Sequence, residues 1–197
     1  MNVALPKPWT IERFLAWAGT QDERYEFDGL RPVAMTGGSA DHNRIALNVH
    51  VALRQRLRGT PCTPFGPDLG IQTTGNAVRY PDALVTCKRF SGKDRLAPDP
   101  VAVFEVLSPD SGRRDRIQKT HEYAAVPSIR HYVILESSGV GVFALHRETG
   151  DAPWIATTLM GDDRLALTAL GYEIPVAEFY EDVDFGDDGD RAYGRGG

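Results

Sequence analysis

Two strand-like apolar runs are each broken by a single carboxylate, and a basic helix follows the second. Asp82 interrupts Tyr80-Pro81-Asp82-Ala83-Leu84-Val85. Glu105 interrupts Val101-Ala102-Val103-Phe104-Glu105-Val106-Leu107. An acid inside such a run is costly unless something pairs with it. Two acids on successive strands imply a shared partner, and a hard cation is the simplest. The helix predicted next, over about residues 113–125, carries Arg113, Arg114, Arg116 and Lys119, which makes it an anion-facing element. Any fold for this chain has to bring these segments together.

The surrounding pattern predicts a mixed α/β domain, a sheet flanked by helices. Thr10 is a candidate N-cap for a first helix with Ile11, Phe14 and Leu15 on one face, and Gly19 ends it. Arg24–Phe27 and Leu30–Met35 flank Asp28-Gly29, a hairpin signal, and Pro32 points to an edge position. Ser39 caps a helix reaching Leu57, with Ile45, Val49, Leu53 and Leu57 at helical spacing. Cys62–Phe65 and Leu69–Thr73 read as short strands around Gly66-Pro67-Asp68. Val78–Cys87 reads as one strand carrying Asp82, and Val101–Leu107 as a buried strand carrying Glu105. His131–Leu135, Val140–His146, Trp154–Leu159 and Leu165–Leu167 continue the sheet, the later ones antiparallel. Pro175–Tyr180 closes the fold as a helical turn.

The chain has 197 residues, enough for a single domain over 1–180. Residues 181–197 are Gly- and Asp-rich and are expected to form a disordered tail. The net charge of −5 weighs against nucleic acid only at first sight. Six of the acids fall in that tail against two arginines, which leaves a nearly neutral body able to carry a local basic patch. Cys62 and Cys87 lie far apart and outside any CxxC pair, so no disulfide framework is expected and a reducing cytoplasm fits. No apolar run is long enough to span a membrane, and the N-terminus lacks a signal-peptide pattern. Phosphate-loop, dinucleotide and serine-hydrolase motifs are absent, and the histidines lack zinc-ligand spacing.

On neighbouring strands about 4.8 Å apart, Asp82 and Glu105 could clamp one divalent ion, leaving room for a phosphate. Each acid also has a plain reading, at a strand end or paired with an arginine. Asp115, Lys119 and Tyr123 share a helix face. Lys119 could reach back to the strand ends and orient an attacking water, or simply pair with Asp115 on the surface. Glu26, in Tyr25-Glu26-Phe27-Asp28-Gly29, is a candidate third acid or an exposed strand residue. His42 is a candidate for phosphate contact or proton transfer, or a structural histidine. Asp68 is a weaker candidate of the same kind.

These residues resemble the PD-(D/E)XK nuclease superfamily, specifically the Uma-type bacterial proteins described as restriction endonucleases. Pro81-Asp82 resembles the PD half-motif and Glu105-Val106-Leu107 the (D/E)XK half-motif, with leucine where lysine is expected. Lys119 matches the lysine that the Uma-type pattern carries on the following helix, flanked by Asp115 and Tyr123. Glu26 matches an early acidic position, and Ser39 and His42 an early helix. The resemblance covers about Thr10 to Phe179. It implies a restriction-endonuclease-like core with an N-terminal helix-hairpin addition and C-terminal antiparallel strands. It also implies Mg²⁺ or Mn²⁺ dependence and hydrolysis of DNA phosphodiesters by a homodimer. The metal would be held by Asp82, Glu105, the Val106 carbonyl and Glu26, with Lys119 acting on the water. His42, Asp115, Tyr123, Arg113 and Arg116 would support the phosphate or the ligands. The rival expectation is a catalytically inactive nuclease fold serving as a nucleic-acid-binding or oligomeric module.

Overall fold

The computed structural model describes residues 8–107 and 113–186, the side chains of 113–115 excepted. Helix α1 (Ile11–Ala18) begins at Thr10, whose hydroxyl accepts from the Arg13 N–H. It buries Phe14, which stacks on Phe27 with ring centres 5.2 Å apart. Strands β1 (Tyr25–Phe27) and β2 (Pro32–Ala34) follow as an antiparallel pair. Their connection is longer than the Asp-Gly signal suggests. Asp28 Oδ1 accepts from the backbone N–H groups of Leu30 (2.8 Å) and Arg31 (2.7 Å), which pulls Leu30 and Arg31 into the turn. Gly29 has a φ of 92°, and a Cβ there would lie 2.4 Å from the Gly75 carbonyl oxygen, so only glycine fits.

Helix α2 (Ala40–Leu57) starts at the Ser39 cap and buries Ile45, Val49, Ala52, Leu53 and Leu57, the predicted face. Then come β3 (Thr63–Phe65), β4 (Ile71–Gln72), β5 (Val78–Arg79), β6 (Ala83–Thr86), β7 (Pro100–Leu107), α3 (Arg113–Ala124) and β8 (His131–Glu136). The chain continues through β9 (Val142–His146), β10 (Ile155–Leu159), β11 (Arg164–Leu167), β12 (Tyr172–Pro175) and α4 (Val176–Phe179). A six-stranded mixed sheet runs β10-β9-β8-β7-β6-β3, with β7 and β8 a parallel pair joined through α3. A four-stranded sheet, β2-β1-β5-β4, stands beside it with β2 at the edge, as Pro32 predicted.

Several readings change. Val78–Cys87 is not one strand. Pro81 has no N–H to offer a ladder, and the chain leaves the small sheet after Arg79 and enters the large one at Ala83. Asp82 therefore sits at the crossing between two sheets. The two short strands around Gly66-Pro67-Asp68 likewise belong to different sheets. Leu165–Leu167 pairs with the unforeseen β12 as a separate two-stranded ribbon. Cys62 and Cys87, expected to stay apart, are disulfide-bonded on the rung beyond Thr63–Thr86. Pairing of β3 with β6, invisible to local spacing, brings them together. Val183 and Phe185 pack on the core, and Asn48 donates to the carbonyls of Phe179 (3.1 Å) and Glu181 (2.8 Å). Residues 187–197 lie outside the described residues.

The large sheet is covered on both faces, which is why its central strands are nearly continuous apolar runs. Ala83, Val85, Phe104, Val106, Val133 and Leu135 face α2 and α4. Leu84, Val103, Leu107 and Ile134 face the other way, into a cluster with Tyr123 of α3. Each large side chain so buried contributes about 1.5–3 kcal/mol. Alternation along β7 puts Glu105 between Val103 and Leu107, on the α3 face.

Candidate active site

Antiparallel β6 and β7 pair Ala83 with Phe104. Asp82 immediately precedes β6, beside the Glu105 end of this register, and its negative charge acts on Glu105. Glu105 is 4% exposed. Burial pushes its carboxyl up to about 7, opposed by the Lys119 ammonium and reinforced by the negative charges of Asp82 and Glu26. Lys119 Nζ lies 3.4 Å from Glu105 Oε2 and 3.6 Å from Glu26 Oε1. One turn on, the Tyr123 hydroxyl donates to Glu105 Oε1 at 2.8 Å. The helix thus delivers two groups, four residues apart, to one carboxylate.

Asp82 is held from two sides. The Val106 N–H donates to its Oδ2 at 2.7 Å, and His42 Nε2 lies 3.0 Å from its Oδ1. The hydrogen bond to Asp82 raises the His42 pKa against the opposing effect of burial. His42 is positioned because the Ser39 hydroxyl accepts from its backbone N–H and fixes the first turn of α2. His50, two turns further along α2, bonds the Asp82 carbonyl oxygen through Nε2 at 3.1 Å.

A second ionic group stands behind the first. Arg79, 4% exposed, makes a bidentate bridge to Glu122, with Nε to Oε2 at 2.6 Å and Nη2 to Oε1 at 2.7 Å. Its Nη1 donates to Glu26 Oε2 at 3.0 Å. Gln118 and Thr73 complete the Glu122 shell at 2.9 and 3.3 Å. Burial works against the Arg79 charge, but the two carboxylates outweigh it and raise its pKa. Glu122 and Lys119 lie on the same helix, so this clamp fixes α3 against the small sheet and sets where Lys119 reaches. Among the described residues the cluster holds four carboxylates (Asp82, Glu105, Glu26, Glu122) and two basic side chains (Arg79, Lys119). That is a formal excess of two negative charges. A buried excess of this size either takes up protons, as the raised Glu105 carboxyl indicates, or calls for a divalent cation.

The family model of Uma2, "Putative restriction endonuclease", matches residues 11–177. The chain belongs to the Uma2 family. It is 31% identical over 177 residues to the uncharacterized protein slr1290 of Synechocystis, covering 88% of this chain and 92% of that one. A second uncharacterized Synechocystis protein, sll1609, is 26% identical over 167 residues, covering 83% of this chain and 94% of the relative. Among solved structures, a "putative nuclease belonging to DUF820" from Anabaena variabilis superposes with a TM-score of 0.67 at 14% identity, covering 88% of this chain and 98% of that one. At that identity the likeness shows a shared fold.

Within this Uma2 chain the structure brings Asp82, Glu105, Lys119, Tyr123, His42 and the Val106 backbone together. Glu26 joins them through Lys119. Its oxygens lie near Arg79, Lys119 and the Tyr80 N–H, and its charge also acts on Glu105. Arg116 is not in the cluster. It pairs with Glu136 of β8 at 3.0 Å and lies over the Phe143 ring, on the side of α3 facing β8 and β9. Asp68 is a rim residue, 3.5 Å from Arg24. The side chains of Arg113 and Asp115 lie outside the described residues. Arg79, Glu122 and His50 were missed by sequence reasoning. Arg79 carried one usable signal: it alternates with Val78 and Tyr80, so a strand there turns it to the face opposite Phe27's partner, where Glu26 also points. No helix among the described residues is long and apolar enough to cross a membrane.

Proposed function

We propose that this Uma2 protein is a divalent-metal-dependent endonuclease that hydrolyses DNA phosphodiester bonds. The observation that carries the reading is Asp82 bonded by the Val106 N–H, next to Glu105, with Lys119 Nζ 3.4 Å from Glu105. What supports a metal is the chemistry of the donors, two carboxylates and a carbonyl, in a cluster with an excess of negative charge. Mg²⁺ commonly works with one or two protein carboxylates, keeping its other positions for water and phosphate. Asp82 and Glu105, with the Val106 carbonyl beside them, would hold Mg²⁺ or Mn²⁺. When bound, such an ion lowers the pKa of a water and polarises the phosphate.

The chain's own groups do the rest. Lys119 orients the attacking water and stabilises negative charge on the phosphate as it develops. Tyr123 fixes one Glu105 oxygen and leaves the other for the ion and the lysine. The Val106 N–H and His42 orient the Asp82 carboxylate, one at each oxygen, whose remaining lone pairs stay available to the ion. Glu26 and Arg79 hold Lys119 in place. In-line attack would leave a 5′-phosphate and a 3′-hydroxyl. A homodimer would supply one site for each strand of a duplex.

Incubation of supercoiled plasmid with Mn²⁺ tests the reading. Asp82→Ala, Glu105→Ala and Lys119→Ala are each expected to lower cleavage by a hundredfold to about a thousandfold while far-UV circular dichroism is unchanged. Undiminished cleavage by Glu105→Ala would show that the site lies elsewhere. No cleavage by the unaltered protein, together with no Mn²⁺ binding in calorimetry, would favour the non-catalytic nucleic-acid-binding module.

A further inference from the structure

A cavity of about 300 Å³ opens on the far side of the small sheet from the Arg79 clamp. Its walls come from the end of α1, the segment leading into β1, Met35, and Tyr80 just past β5. Phe27 pairs with Val78, so the antiparallel register continues through Glu26 and Arg79 to Tyr25 and Tyr80. Alternation then turns Glu26 and Arg79 to the ionic face and Tyr25 and Tyr80 to the cavity. The cavity adjoins the candidate active site along two chain paths. Tyr80 is two residues before Asp82, roughly 7 Å of extended chain. Met35 begins the short loop that reaches the Ser39 cap and His42.

The lining is mixed, with Leu15, Ala18 and Met35 as apolar members, and includes two tyrosines, Tyr25 and Tyr80. Polar groups stand around it. Arg24 pairs with Asp68 at 3.5 Å, Arg95 Nη1 donates to the Leu15 carbonyl at 2.6 Å, and Tyr25 donates to Glu23 at 3.0 Å. Asp22 and the Tyr80 hydroxyl also line it and have no hydrogen-bond partner among the described residues. Three acids (Asp22, Glu23, Asp68) against two arginines leave a slight negative balance, which disfavours a phosphate. A neutral, flat group with a hydrogen-bonding edge suits the lining better. Unstacked nucleobases have this chemistry: a π-face for a tyrosine and donors and acceptors at the rim.

We propose that this cavity receives one unstacked base of the substrate strand, from a nucleotide flanking the bond cut at Asp82 and Glu105. The proposal rests on the nuclease reading and extends it to a base-binding subsite. It gives Tyr80 and Tyr25 a role in substrate selection and registers the strand relative to the scissile phosphate.

Gly19 provides the test. It lies on the rim with an ordinary φ of −68°, and a Cβ there would sit 2.7 Å from Arg95 Nη1, the movable end of a side chain. Gly19→Leu therefore blocks the cavity without a backbone clash. Tyr80→Leu removes one ring and serves as the second variant. Binding of a short single-stranded DNA is followed by fluorescence anisotropy, with a single abasic residue moved through the sequence one position at a time. In the unaltered protein, one abasic position is expected to weaken binding about tenfold. Gly19→Leu and Tyr80→Leu should weaken the intact strand by the same factor and erase the difference between intact and abasic DNA. Binding and Asp82-dependent cleavage that persist, with no abasic position sensitive to either variant, would overturn the base subsite and leave the nuclease reading standing. Failure of the unaltered protein both to bind and to cleave any DNA would overturn the two together.

Discussion

Glu105 and His131 are buried on adjacent parallel strands, three rungs apart, yet they have opposite surroundings. Ala102 of β7 pairs with His131 of β8, and Glu105 pairs with Ile134. Both are nearly inaccessible, at 4% and 1% exposure. Burial drives each toward its neutral form, the acid up to about 7 and the imidazole down to about 4. The neighbours differ. His131 accepts one backbone bond, from the Ala169 N–H at 3.1 Å, and the charges near it, His146 and Arg130, oppose its protonation. It is settled as a neutral packing group. Glu105 faces Lys119, Tyr123, Asp82 and Glu26, side chains that change what it can bind. Burial alone therefore marks no site; a buried charge that keeps company with other charges does.

The company depends most on Arg79. Arg79→Met would strand Glu122 and Glu26 without their common cation, and removing one member of a buried ion pair costs about 3–5 kcal/mol. Chemical denaturation at neutral pH should show a loss of that size. Adding Glu122→Met to Arg79→Met should recover part of it, since the stranded charge is then gone. A loss below about 1 kcal/mol for Arg79→Met would mean that the clamp is solvated and that α3 is held by packing alone.

The comparison predicts pH profiles of opposite sign. The Glu105 carboxyl is raised, so between about 4.5 and 7 the folded protein holds a proton that the unfolded chain has released. Its contribution to stability is full below the unfolded pKa and is lost as pH rises to about 7. His131 is lowered, so between about 4 and 6.5 the unfolded chain holds the extra proton. Its contribution is full above 6.5 and is lost as pH falls to about 4. Each amounts to roughly 3 kcal/mol, and the two largely offset each other in the metal-free protein. Glu105→Gln removes one of them. In that variant stability should rise by roughly 3 kcal/mol from pH 4 to 6.5, measured by urea titration with chelator present. A flat profile would show that His131 is not held neutral. The same variant should match the unaltered protein near pH 4.5 and exceed it by roughly 3 kcal/mol above pH 7, provided the amide keeps the Tyr123 and Lys119 contacts.

These contrasts also explain what could be read in the chain. Glu105 was legible because an acid inside Val-Ala-Val-Phe-Glu-Val-Leu breaks a local rule, and Asp82 because it follows Pro81 at the start of another apolar run. The helix faces of α1 and α2 followed from spacing and from the caps at Thr10 and Ser39. Arg79 and Glu122 were not legible, because each breaks no local rule. An arginine in a short strand and a glutamate in a polar helix both read as solvated. Their burial comes from each other, across 43 residues of sequence. The break of Val78–Cys87 into two strands was available in Pro81 but hidden by the continuity of the apolar pattern. The Cys62–Cys87 pair depended on β3 lying beside β6, a long-range fact of the same kind.

Arg116 gives the smallest and sharpest contrast. As one of four cations on a basic helix it was a candidate phosphate contact, while Lys119, three residues on, was a candidate to reach back to the strand ends, with a surface pair to Asp115 as its plain reading. The structure separates the two. Lys119 turns inward to two carboxylates, while Arg116, 37% exposed, pairs with Glu136 on β8. A half-exposed pair of this kind is worth at most about 1 kcal/mol. Arg116→Ala should therefore lower stability by less than that in urea titration and leave DNA affinity and its salt dependence unchanged. If the slope of log affinity against log salt instead falls by nearly one, Arg116 releases Glu136 to hold a phosphate, because each neutralised phosphate contributes about that much to the slope. The Glu136→Gln variant then separates the two cases. Freeing Arg116 from its partner would strengthen DNA binding if the arginine reaches the backbone, and would leave it unchanged if the side chain serves only to fasten α3 to β8.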